Sequence, residues 1–365
     1  MEGNLTIEKL PQEVTLKILR YLTPKETHGL IGNLQSFEPS KTTKVLIELS
    51  FRRLYSGKTL IYSTSEGDKI SHRGITDVSL KFREFLDAIE YPDYQQKELA
   101  QFRLVRPQTL DFKFNRSAND YTIFVADLYK FASMVDSLET SRGSNVSQYF
   151  KCVHQLELHI NGNSILIETP SSIVVSILKT LISIASKKNP LKDRFKVLSI
   201  ICTDIGDYFI TQWFQVFGRF ANLESLDLSD NMIRSARFNP EEDWIKCATW
   251  PPRLKSLFLD KNMITKLTKE LIISFPTSLE TLSISKNSLV VVGYSDEFFE
   301  LGKGLPNLKY LNLSDNRGLK FVNPEIFDGH CKLEVLNLKG CYMDRDNLEE
   351  LRKISLKNEF RLISD

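Results

Sequence analysis

The sequence predicts an α/β protein, with a three-helix domain at residues 1–56 and a solenoid at residues 57–365 whose parallel β-sheet lines a concave side. Two observations support this prediction. A short pattern of leucines recurs along the second half of the chain, and each copy alternates like a strand. The N-terminal segment instead shows the 3.6-residue periodicity and the capping residues of short helices.

The recurring pattern is L-x-x-L-x-L-x-x-N/C-x-L. Its copies begin at Leu223, Leu254, Leu279, Leu308 and Leu333. They start 31, 25, 29 and 25 residues apart, close to or just beyond the 20–29 residues usual for this pattern. Such agreement exceeds chance, so we predict regular stacked repeats over residues 195–343.

The polar position after the leucines has a structural reason. In each copy the alternating leucines would point into a core, while the Asn turns the chain away from the strand. Its amide can bond backbone groups of neighbouring turns that would otherwise be unsatisfied. We therefore predict a structural ladder of Asn231, Asn262, Asn287, Asn316 and, as a small buried variant, Cys341.

The flanks of the regular repeats are less uniform. Weaker copies of the pattern lie 46, 42 and 28 residues apart upstream, which predicts irregular, helix-rich repeats over residues 57–194. Helices are expected at 77–89 and 120–138, on the convex side. Residues 344–365 are expected to cap the solenoid, with a last strand in "FRLISD".

These copies resemble the leucine-rich repeat family over roughly residues 57–365. The resemblance implies a curved solenoid that binds other proteins through its concave strands. The residues between the leucines would form the substrate-binding face: Asp227, Phe258, Asp260, Ser283, Tyr310, Asn312, Asn337 and Lys339. This face is polar and nearly neutral, with one aromatic pair that could anchor a peptide. The alternative is that these side chains merely solvate the strands.

The N-terminal stretch "LPQEVTLKILRYLTP" predicts a helix that begins at Pro11 and carries an apolar stripe. A second helix, capped by Thr23, and a third, capped by Ser40, would follow. Three short helices make a marginal core. Apolar surface would therefore stay exposed unless a partner or the next domain covers it.

This stretch resembles the start of an F-box, and the resemblance covers about residues 5–55. It implies docking on the Skp-type linker subunit of a cullin-RING ubiquitin ligase, and through it on a cullin. The residues carried over to that docking face are Leu10, Pro11, Val14, Ile18, Leu19 and Leu22. The segment lacks the Trp that many F-boxes carry near the third helix. In the alternative, these helices cap the solenoid of a leucine-rich repeat scaffold or regulatory subunit without a ubiquitin role.

Composition excludes several other functions. A net charge of +2 with scattered basic residues gives no case for nucleic acid or a membrane surface. Five cysteines without a C-x-x-C pair argue against a disulfide framework and a zinc module. No catalytic motif is present. We expect no catalysis, cofactor or metal, but a cytoplasmic or nuclear adaptor that positions a protein substrate.

Overall fold

A computed structural model describes residues 21–22, 26, 29–30, 59–63, 69–72, 75–79, 108–115, 126, 131, 153–162, 179–182, 185, 192–201, 203, 205–206, 216–234, 250–293, 299–328 and 332–365. The chain divides into two compact units. One unit comprises Met1–Phe114 and Asp136–Glu157, and the other comprises Asn115–Val135 and Leu158–Asp365. None of the helices in these described ranges is long and apolar enough to cross a membrane.

The first unit contains a group of strands with both parallel and antiparallel pairs. These are β1 (Thr59–Ser63), β2 (Lys69–His72), β3 (Ile75–Ser79) and β4 (Thr109–Asn115), of which only Asn115 belongs to the other unit. β1 pairs in parallel with β4 and antiparallel with β2, and β2 pairs antiparallel with β3. On β4, Leu110, Phe112 and Phe114 are buried, which gives this strand an apolar face.

One predicted helix is wrong at its start. The helix expected at 77–89 would begin inside β3, which runs to Ser79. β3 is rich in β-branched residues, which favour a pleated strand, and it pairs with β2. This antiparallel pairing overrides the helical pattern at 77–79, and residues 80–89 lie outside the described ranges.

The second unit holds the stacked strands. β5 (Gln155–Asn161) contains the point at which the two units divide. The strands after it are β6 (Phe195–Ile201), β7 (Ser225–Asp227), β8 (Ser256–Phe258), β9 (Thr281–Ser283), β10 (Val291–Val292), β11 (Tyr310–Asn312), β12 (Phe321–Val322), β13 (Val335–Asn337) and β14 (Arg361–Ile363). Their sheet has the order β14-β13-β11-β9-β8-β7-β6 and is parallel throughout, while β10 and β12 form a small parallel pair. The predicted α/β class with a parallel sheet is confirmed.

The repeat leucines form the core of this unit. Leu226, Leu257 and Leu282 lie in register on neighbouring strands and are completely buried. Each such side chain contributes about 1.5–3 kcal/mol by leaving water. Single copies have no second layer against which to bury their leucines, so the stack of neighbouring copies supplies the core.

Short helical segments return the chain from one strand to the next. They are a 3₁₀ turn at Lys192–Arg194, α1 (Lys269–Ser274), α2 (Leu301–Gly304), a 3₁₀ turn at Pro324–Phe327 and α3 (Arg345–Lys357). Thr268 caps α1 by accepting a hydrogen bond from the Leu271 N–H at 3.2 Å. The expected last strand is present as β14, which pairs in parallel with β13 after α3.

Candidate protein-binding site

Buried asparagines tie the strands together at the point where each strand ends. Asn316 is completely buried. Its Nδ2 group donates to the carbonyls of Ile284 and Leu313 at 2.9 and 2.8 Å, and its Oδ1 accepts from the Leu289 N–H at 3.1 Å. One side chain therefore satisfies backbone groups on its own turn and on the preceding turn.

Three more asparagines make the same kind of contact. Asn231, Asn262 and Asn287 are buried, and each donates to carbonyls of its own and the preceding turn. Each also accepts from a backbone N–H of the preceding turn, at 2.9 to 3.1 Å. The ladder fixes where each strand ends, and so where its outward-facing side chains sit.

The residue before each ladder position has left-handed backbone geometry. The φ angles are 57° at Asp230, 52° at Lys261, 53° at Lys286, 56° at Asp315 and 75° at Gly340. Only Gly340 adopts this geometry without a steric cost, because it has no Cβ. A Cβ there would lie only 2.4 Å from Oδ1 of Asp315.

Cys341 occupies the last ladder position with different chemistry. Its Sγ donates to the Leu313 carbonyl at 3.1 Å. Burial raises the pKa of the Cys341 thiol to about 11. The group is therefore a protonated donor, and its role at this position is to satisfy a carbonyl.

The strand face is defined here as the eight outward-directed residues predicted from the pattern. They are Asp227, Phe258, Asp260, Ser283, Tyr310, Asn312, Asn337 and Lys339, and they lie on or just after β7, β8, β9, β11 and β13. Ser283 is buried, Lys339 is exposed and the other six are half-buried. All eight belong to one unit and one continuous run of paired strands.

Three polar residues of this face cap their own strands. Oxygens of Asp227, Asn312 and Asn337 accept from the backbone N–H two residues further along, at 2.9, 3.2 and 3.1 Å. These Asx-type contacts end each strand with a local turn. They occupy Oδ1 of each of the three side chains.

A hydrogen-bond chain crosses the middle of the strand face. Nδ2 of Asn312 donates to Oγ of Ser283 at 2.9 Å, and that Oγ donates to Oδ1 of Asp260 at 2.6 Å. The same Oδ1 accepts from the Ser285 N–H, also at 2.6 Å. This network holds the Asp260 carboxylate in place at the strand ends.

The two aromatic side chains are separate anchors. Phe258 lies opposite Ser283, whereas Tyr310 lies opposite Thr281 on the other side of β9. Two strand spacings and a two-residue offset place their Cα atoms about 12 Å apart. They therefore suit two different side chains of an extended ligand.

Sequence reasoning missed a row of alternating charge at the start of the strands. The second position of successive copies carries Lys196, Glu224, Lys255, Glu280, Lys309 and Glu334. Glu224 bridges both of its lysine neighbours, at 2.6 Å to Lys196 and 2.9 Å to Lys255. Hydrogen bonds from Lys196 and then Lys255 lower the pKa of Glu224. The alternation was visible in the repeats and could have been found there.

A second buried amide was also missed. Asn347 of α3 donates to the Val322 carbonyl at 2.9 Å and accepts from the Val322 N–H at 3.0 Å. Asn347 thus bonds to both backbone groups of Val322, the last residue of β12, from the helix in the next turn. No feature of the leucine pattern marks this position.

Of the six predicted linker-docking residues, the structure describes one. Leu10, Pro11, Val14, Ile18 and Leu19 are outside the described residues. Leu22 is described and half-buried, beside Tyr21. The docking assignment remains a prediction.

Comparison with known proteins identifies the regular part of the chain. Residues 277–343 match the family model described as leucine rich repeat. Over these residues the chain is similar to leucine-rich repeats. The match covers the copies that begin at Leu279, Leu308 and Leu333.

A solved structure gives a second likeness. A leucine-rich repeat protein of Leptospira interrogans is 17% identical to this chain, with a TM-score of 0.37, over 73% of this chain and 68% of that chain. No curated protein matches the chain.

Proposed function

We propose that this chain recognises a protein substrate through its strand face, as the substrate-recognition subunit of a Skp–cullin–F-box E3 ubiquitin ligase. In this role the chain is not an enzyme and needs no cofactor or metal. It holds a substrate near a charged conjugating enzyme and so raises the effective concentration of the reacting groups. We place the function in the cytoplasm or nucleus.

One observation carries the recognition part of the proposal. A rigid run of paired strands presents two separated aromatic anchors, Phe258 and Tyr310, among short polar side chains. Half-buried aromatic residues surrounded by polar groups are typical of the energetically dominant positions in protein interfaces. Leucine-rich repeats use such extended faces to bind proteins.

The ligase part of the proposal is supported by the N-terminal resemblance to an F-box. The leucine-rich repeat match is equally compatible with a scaffold or regulatory subunit outside ubiquitin transfer. In that second function, the N-terminal helices cap the repeats. The two functions differ in whether Leu10, Pro11 and Ile18 contact a partner.

The ligase proposal is tested by binding of the purified Skp-type linker subunit to the full chain. We expect the wild type to bind, and a Leu10→Asp, Pro11→Ala, Ile18→Asp variant to lose binding. Gln12→Asp, on the polar side of the predicted helix, is the matched control and should bind normally. Circular dichroism checks that all variants are folded.

A folded wild type that fails to bind the linker subunit would refute the ligase role. The repeat-scaffold function would then remain. Equal binding by wild type and the triple variant would refute the assigned docking residues.

A further inference from the structure

We propose that the strand face has a subsite for a cationic side chain, centred on Phe258 and flanked by Asp227 and Asp260, so that the bound segment presents a Lys or Arg there. This inference rests on the proposed function and names the chemistry of the partner. It concerns only β7, β8 and β9, which lie in one unit.

The register brings the three side chains together. Asp227 on β7 is directly opposite Phe258 on β8, and neighbouring strands lie about 4.8 Å apart. Asp260 is two residues further along the same chain, on the same side as Phe258. Asp227 therefore lies beside Phe258 on the neighbouring strand, and Asp260 lies two residues after Phe258 on the same side of the chain.

Phe258 is not explained by the needs of the repeat. The equivalent positions on β7, β11 and β13 carry Asp227, Asn312 and Asn337, each of which caps the backbone two residues on. Phe258 has no polar atom and cannot make this bond. It nevertheless stays half-buried rather than entering the core. The ring is thus a half-buried apolar surface among polar neighbours.

No lysine or arginine occupies the outward positions of the described strands β7, β8 and β9 to balance the two carboxylates. The outward positions of β7, β8 and β9, with the residue after each strand turn, are Ser225, Asp227, Ser229, Ser256, Phe258, Asp260, Thr281, Ser283 and Ser285. They hold two carboxylates and no cationic residue. Asp230, which precedes the ladder residue Asn231 and lies outside this set, is by contrast paired with Lys261 at 3.2 Å.

A cationic side chain fits this arrangement best. The face of an aromatic ring attracts an ammonium or guanidinium group, and nearby carboxylates add to that attraction. The structural bonds of both aspartates use Oδ1, so the other carboxylate oxygen of each can bind a ligand. The small hydroxyl side chains around the ring leave room for a long side chain to lie across it.

Equivalent positions of the repeats indicate which substitutions suit the strand face. Asp227→Asn should keep the strand cap, because Asn312 and Asn337 make the same bond at their positions. Asp260→Asn keeps an oxygen for the Ser285 N–H. Phe258→Asn installs the residue that β11 and β13 already carry. Asp230→Asn is the matched control, since it removes a nearby carboxylate outside the subsite.

The experiment presents a phage-displayed library of random 12-residue peptides to the full-length protein. We expect peptides captured by the wild type to be enriched in Lys or Arg, and this enrichment to be absent with the Phe258→Asn protein. A synthetic copy of one captured Arg peptide should bind about tenfold more weakly when citrulline replaces the Arg. The Asp227→Asn, Asp260→Asn double variant should weaken the Arg peptide similarly but leave the citrulline peptide unchanged.

Three results would overturn the inference. Peptides without a cationic residue whose binding is lost in Tyr310→Ser would refute the cation subsite while supporting recognition by the strand face. If Asp230→Asn and the double variant lose equal affinity for the Arg peptide relative to the wild type, the subsite is refuted and the effect is one of general charge. A library that yields no peptide dependent on any strand-face residue would refute both this inference and the proposed recognition function.

Discussion

Removal of the Asn316 side chain tests the ladder most directly. In Asn316→Ala, the carbonyl of Ile284 and the N–H of Leu289 lose their side-chain partner, while the Leu313 carbonyl keeps only the Cys341 thiol. All of these groups belong to buried residues. An unsatisfied buried group costs about 1–3 kcal/mol. With partial rescue by a water entering the space, we expect the free energy of unfolding to fall by about 3 kcal/mol.

The measurement is urea unfolding of the full chain followed by circular dichroism, with the free energy taken from the midpoint and slope. Arrays of repeats can unfold in parts, so hydrogen exchange at the Leu289 amide gives a local readout. That amide should exchange faster in the variant than amides of β6.

Asn307→Ala is the control, because Asn307 is half-buried and its hydrogen bonds are exposed to solvent: Nδ2 donates to the Thr277 carbonyl at 2.8 Å, and Oδ1 accepts from Lys332 at 3.0 Å. Its loss should cost below about 0.5 kcal/mol. Asn316→Cys, which reproduces the chemistry of Cys341, should cost less than Asn316→Ala. If Asn316→Ala and Asn307→Ala were equally stable, the ladder would not hold the strands as argued.

Three further predictions concern the row of charges, a turn and a thiol. Glu224→Gln should lower the free energy of unfolding by about 0.5 kcal/mol at pH 7, and by less in 1 M salt, since the carboxylate is partly solvated. Because the pKa of Glu224 is lowered in the folded protein, this difference is present above the ordinary carboxyl pKa and vanishes as the pH falls through the folded-state pKa. Urea unfolding at several pH values measures it. Gly340→Ala should cost about 1–3 kcal/mol through its positive φ and the contact with Asp315, whereas Gly206→Ala, where a Cβ would make only ordinary contacts, should be nearly neutral; equal unfolding midpoints would contradict this reasoning. A variant that keeps Cys341 as its sole cysteine should not react with a thiol reagent at pH 8 until urea unfolds it, because burial raises the pKa of that thiol to about 11; rapid reaction of the folded protein would show that the thiol is accessible.

The strand face was predicted from the pattern, but its chemistry was not. Alternation placed Phe258 and Asp260 outside the core, since side chains two residues apart share a side of a strand. The bond from Ser283 to Asp260 depends on how β8 and β9 align. A stretch of 25 residues lies between the starts of those two copies, and its length does not define the register.

The strand at 77–79 and the role of Asn347 were not predicted, because each depends on pairing with another segment of the chain. A helix-like spacing at 77–89 competes with an antiparallel pairing between β2 and β3, which only the folded chain makes visible. Asn347 was missed because its role arises from Val322 of β12, on a different turn. Local patterns carry no information about such partners.

The sequence by itself determined that copies of the leucine pattern stack into a parallel sheet, because each copy has an apolar side that only a neighbouring copy can bury. It also determined where the ladder asparagines lie after the strands, since each buried amide bonds to backbone carbonyls on its own turn and on the preceding turn. Tertiary structure alone decided which polar groups bond between turns, such as Ser283 with Asp260 and Asn347 with the backbone of Val322. Backbone pairing between neighbouring turns brings these groups together, although many residues separate their strands along the chain.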